Sequence, residues 1–104
     1  MKHWIWRTTG RIISRIPGVQ VKSAGISVDE IPVAQLPAEL REHSTQEAVG
    51  CTFMVEDVHE SFGTGSAIYQ PDERMLIILW QGALIRRRAD NLRDGLTAWM
   101  DEQI

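Results

Sequence analysis

A chain of 104 residues, 43% apolar and 24% charged, is large enough for one packed core and too small for two, which excludes a disordered chain and a collagen-like repeat. The net charge of −3 disfavours nucleic acid as principal partner. Cys51 is the only cysteine, so an internal disulfide and a zinc site built on two thiolates are excluded, and a reducing, cytoplasmic setting is expected.

The first 28 residues carry Lys2, Arg7, Arg11, Arg15 and Lys22 and no acid. On a helical wheel Arg7, Arg11 and Arg15 form one row beside Trp4, with Ile5, Ile12, Ile13 and Ile16 opposite, and Pro17-Gly18 supplies a stop. This predicts an N-terminal amphipathic helix over His3 to Ile16, docked on its own sheet, exchanged with a neighbouring subunit, or resting on a membrane surface through Trp4 and Trp6. The alternation of Trp4, Trp6 and Thr8 with Ile5, Arg7 and Thr9 is the competing strand pattern. Arg7 and Arg11 interrupt any apolar core of a secretion signal.

Val19 to Ser23 alternates like a short half-buried strand. Pro32 and Pro37 are expected to prevent a long regular element between Ser27 and Pro37, while Pro37 sits well at the first turn of a helix running to His43. The surrounding stretch is acidic, with eight carboxylates against Arg41 alone between residues 29 and 60, and it is expected to meet the basic arm within one chain or across a subunit boundary.

Cys51, Phe53 and Val55 alternate with Thr52, Met54 and Glu56, which predicts a strand, as do Ser66 to Tyr69 and Arg74 to Trp80. Gln70-Pro71-Asp72-Glu73 joins the last two as a hairpin. Met75 to Trp80 has no polar residue, the mark of a central strand covered on both faces. At six residues it is about a third of the length that crosses a bilayer, so no transmembrane span is expected.

Ile85, Ala89, Leu92, Leu96, Trp99, Met100 and Gln103 recur at helical spacing and predict a long C-terminal helix. Gly95 either weakens it or lets it approach a strand closely. Gln81-Gly82 leaves a second possibility, a tight turn with Ala83 to Arg86 as another strand. Together these elements predict one α+β domain over residues 1–104. It would be an antiparallel sheet of about four strands packed by the C-terminal helix, with the N-terminal helix or a second subunit on the other face.

Three groups of residues could carry function. Asp57, His59 and Glu60 precede the glycine-rich Gly63–Ser66, so His59 could act as a general base oriented by a carboxylate while loop amides receive an oxyanion. The same residues also read as a polar hairpin connection with glycines at a bulge. Arg86, Arg87 and Arg88, with Arg7 and Arg11, suit bidentate contacts to carboxylate or phosphate. Trp4, Trp6 and Trp80 are large amphipathic anchors of the kind enriched where surfaces meet. His3, His43 and His59 show no metal-binding spacing, and Cys51 shares a strand face with Phe53 and Val55, where a thiol is a small hydrophobe. No metal and no cofactor are expected.

The leading expectation is a non-enzymatic binding protein, assembled as a homo-oligomer and offering a partner or small ligand an apolar groove bearing Trp4, Trp6 and Trp80 with Arg7, Arg11 and Arg86–Arg88. A small hydrolase or isomerase centred on His59 is the second, and polyanion binding through the arginines the third.

Overall fold

The computed structural model describes residues 2–7, 12–13, 20–21, 24–57 and 61–103. Its strands are β1 (His3–Arg7), β2 (Ile12–Ile13), β3 (Gln20–Val21), β4 (Ala24–Ile31), β5 (Val49–Asp57), β6 (Ser61–Gln70), β7 (Met75–Trp80) and β8 (Ala83–Arg88). A short α1 (Ala38–Arg41) follows a 3-10 turn at Val33–Gln35, and α2 (Leu92–Gln103) closes the chain. Six strands form one antiparallel sheet in the order β1-β4-β5-β6-β7-β8, while β2 and β3 pair separately.

This corrects the expected architecture at several points. The sheet has six strands, not four, and the beginning of the expected N-terminal helix is strand β1, whose Trp4 pairs with Val28 and Ile5 with Ser27. The period-two reading wins because Trp4 packs against the core while Ile5 is half exposed, and the β4 backbone offers a ladder of hydrogen bonds that an isolated helix cannot match. Ile12–Ile13 is likewise a strand, paired with Gln20–Val21, so the described part of the expected Val19 to Ser23 strand belongs to the small sheet and not to the main one. Thr8 to Arg11, Ser14 to Val19 and Lys22 to Ser23 lie outside the described residues.

Two further strands complete the sheet, β4 and the alternative strand that begins at Ala83. Ile26 and Val28 are fully buried and alternate with outward Ser27 and Asp29, so β4 runs through Ile31 and ends at Pro32, which cannot donate to a ladder. Gln81 and Gly82, at φ 49° and 80°, form the tight two-residue turn whose twist suits a hairpin. Ile85 therefore belongs to β8, and α2 begins only at Leu92. Asn91 caps α2, its side-chain oxygen accepting the backbone N–H of Asp94 at 2.8 Å, which satisfies one of the donors a helix start leaves open.

The Pro37-led helix is present but ends at Arg41, short of His43, and the Pro71 hairpin and two-sided β7 fall where expected. Pro37 precedes α1, and residues 71–74 form the turn joining β6 and β7. Leu76, Ile77 and Ile78 are each at most 2% exposed, so β7 is covered on both sides. On one face Leu76 and Ile78 pack with Ile26, Val28, Cys51 and the α2 stripe of Leu92, Leu96, Trp99 and Met100. Trp4 and Ile85, from the two outermost strands, touch the same cluster, so the sheet wraps around α2. Gly95 serves close approach, since a Cβ there would lie 2.7 Å from Leu76 Cδ2 and 2.8 Å from Ala89 Cβ.

On the other face Ile77 joins Ile68, Leu36 and Leu40. The cover is thus the short layer at residues 33–41. It stands where the N-terminal helix or a second subunit was expected, because Pro32 turns the chain out of the sheet and Leu36 and Leu40 bring it back over Ile68.

Candidate functional site

The strand register orders the face opposite α2 into rows of side chains. One row runs Ile31, Gly50, Ile68, Ile77, Arg86, and it carries the 33–41 layer. Beside it run two rows that this layer leaves largely open, His3, Asp29, Thr52, Ser66, Leu79, Leu84 and then Ile5, Ser27, Met54, Thr64. These two rows make a ledge with Ile5, Met54 and Leu84 at 50%, 39% and 41% exposure. A shallow depression of about 150 Å³ lies on it, among Ser27, Asp29, Thr52, Met54 and Thr64. His3 Nδ1–H donates to Asp29 Oδ1 at 2.6 Å, so the two ionisable side chains of the rows face each other.

The second concave feature is a cleft of about 320 Å³ on the same side of the sheet. Met75 and Ile77 of β7 form its floor, and residues 42–45, following α1, form one wall. Glu73 and Arg86 also line it. The wall is anchored: Gln70, 6% exposed, donates from Nε2 to the His43 carbonyl at 2.7 Å, and the His43 and Ser44 amides donate to Leu40 and Arg41 carbonyls at 3.0 Å each.

The sequence-derived candidates are dispersed by the fold. His59 and Glu60 lie outside the described residues, as does Arg11, and Asp57 ends β5. Gly63 to Ser66 is strand β6 rather than a loop. Gly65 is there because a Cβ would meet Phe53 Cζ at 2.5 Å and the Leu79 carbonyl at 2.8 Å. A register shift between Val55 and Glu56, opposite Gly63, is the irregularity of the ladder.

Trp4, Trp80 and Trp99 serve the core. Trp99 is 1% exposed, its ring centroid 5.6 Å from Phe53 and 5.7 Å from Trp80, and Trp80 stacks on Phe53 at 5.8 Å. Trp4 is half-buried beneath Arg93, whose guanidinium sits 5.1 Å from the indole centroid, and Trp6 lies on β1 two residues beyond. The arginine run is split by the strand pleat. Arg87 turns to the α2 side and pairs with Glu102 at 2.9 Å, while Arg86 and Arg88 point to the opposite face, across from Ile77 and Met75. Arg7 stands on β1, at the far end of the sheet order.

Cys51 is fully buried. Burial pushes its thiol up to about 12, with Glu30 adding to the rise and a backbone hydrogen bond from Ala67 opposing it. A folded-state value raised above the unfolded one favours the folded state below pH 9 and loses that contribution between pH 9 and about 12. We expect a disulfide reagent at pH 8 to leave Cys51 unlabelled in buffer and to label it fully in denaturing urea, followed by absorbance of the released thiolate; rapid labelling in buffer would contradict the packing.

Sequence reasoning missed the His3–Asp29 pair, the ledge and the Glu73–Arg86 cleft. The first joins residues 26 apart and the last depends on where residues 42–45 fold back, and no local pattern encodes either. Among the described residues no group of three His, Cys, Asp or Glu side chains could hold a metal ion, and no helix is long and apolar enough to cross a membrane. Comparison with known families, with curated proteins and with solved structures gives no match to this chain.

Proposed function

We propose that the protein is a non-enzymatic, cytoplasmic binding protein that associates with a second copy of itself through the ledge. The observation that carries the reading is the placement of Ile5, Met54 and Leu84, the exposed large apolar residues among those described, on one open side of the sheet. Within the two rows the ionisable side chains are His3 and Asp29, hydrogen-bonded to each other, so the one carboxylate that a second ledge meets is already engaged. Edge-to-edge pairing of copies is opposed instead: β8 carries Arg86–Arg88 and β1 carries Arg7 after Lys2, and basic edges repel.

Area sets the strength. One row across six strands and one across four cover about 300–400 Å² per copy at the usual strand spacing, roughly half of a standard interface. The association is therefore transient, with a Kd of about 0.1–1 mM. Sedimentation velocity between about 20 μM and 1 mM is expected to show a rising weight-average coefficient for the native protein. Met54→Lys and Leu84→Lys are expected to hold it at the monomer value with unchanged melting. A native chain that stays monomeric at 1 mM would refute the reading.

A further inference from the structure

The cleft over β7 combines an anchored wall, the half-buried Met75 and unlike charges, Glu73 and Arg86, in its lining. Arg86 is the cross-strand partner of Ile77, and Glu73 precedes β7 by two residues. Neither belongs to the ion pairs found among the described residues, which are His3–Asp29, His43–Glu42, Arg74–Asp90 and Arg87–Glu102. From Glu73 to Ile77 the backbone spans at most about 13 Å, and the first and third Cα atoms of an extended tripeptide are about 7 Å apart. A volume of about 320 Å³ is at the small end of ligand sites.

We propose that this cleft binds a short unblocked peptide of two or three residues. Its terminal carboxylate lies on the Arg86 guanidinium, its terminal ammonium lies on the Glu73 carboxylate, and an apolar side chain lies on the half-buried Met75. Charge discriminates against the alternatives. A phosphate or other simple anion meets Glu42 and Glu73 on the rim, and a simple cation meets Arg86, whereas a zwitterion complements both ends at once. The arginine fork matches a carboxylate in two parallel hydrogen bonds. Because the wall is held by Gln70 and by its own backbone bonds, little ordering accompanies binding. The site is separate from the ledge, so it does not depend on self-association.

The test uses Ala-Leu-Ala as probe, with its N-acetylated and C-amidated forms, titrated into the ¹⁵N-labelled chain with amide shifts as readout. Shifts confined to residues 42–45, 73–77 and 86 are expected at millimolar peptide, with affinity falling about five-fold when either end is blocked, as for a partly exposed ion pair. Arg86→Gln should weaken the free peptide by a similar factor and abolish the effect of amidation alone; Glu73→Gln should abolish that of acetylation alone. Both side chains are exposed, so the variants keep the fold. Absence of shifts at 10 mM peptide, or equal affinity for free and blocked peptides, would overturn the assignment while leaving the sedimentation result untouched.

Discussion

Replacing Trp99 by alanine is expected to remove about 3–5 kcal/mol of stability, against a total of roughly 5–15 kcal/mol for a domain of this size. Among the described residues the indole is the largest fully buried side chain, and it joins α2 to the sheet through Phe53 and Trp80. Among those residues its Nε1 meets no hydrogen-bond partner, a state that costs about 1–3 kcal/mol in a dry interior. Trp99→Phe removes that orphan donor along with part of the ring, so the two effects oppose each other. Urea denaturation followed by far-UV circular dichroism should give Trp99→Phe less than half the loss of Trp99→Ala. Equal losses would mean that the N–H is satisfied and the aromatic cluster is arranged differently.

Ile77→Asp is expected to abolish folding at 25 °C. At 2% exposure Ile77 lies beneath Leu36 and Leu40, while Arg86, its cross-strand partner, is exposed, so a carboxylate placed there is stripped of water beneath an apolar layer. A buried charge costs several kcal/mol even after relaxation, and lost packing adds about 2–5 kcal/mol more. Leu84→Asp, two positions before Arg86 on the same face of β8 but 41% exposed, should change stability by no more than about 0.5 kcal/mol. Thermal melts of the two variants separate a sheet covered on both faces from one covered by α2 alone. A cooperative, near-native melt for Ile77→Asp would mean that the 33–41 layer does not seal that face.

The strand pattern of β5 and the unbroken apolar stretch of β7 were legible because burial on one face or two writes itself into every second residue or into all of them. The stripe of α2 was legible from Leu92 onward for the same reason at a different period. It was extended too far toward Ile85 because a strand and a helix can share a few spacings, and only the Gln81-Gly82 turn separates them. The Gly63–Ser66 segment was misread as a loop because two glycines normally mark one. Here Gly65 is required by the Phe53 ring, which the sequence shows twelve residues earlier with no hint that it will lie opposite.

By itself, then, the sequence determined the elements whose stability comes from their own periodicity and turn chemistry: the two-sided β7, the Pro71 hairpin, the Pro37-led α1 and the body of α2. Tertiary structure alone decided that His3–Arg7 is a strand, that the 33–41 layer covers the second face, that the arginine run splits between two faces, and that His3 meets Asp29. Each of these depends on partners many residues away, and the hydrogen bonds and buried area that such partners supply outweigh local propensity.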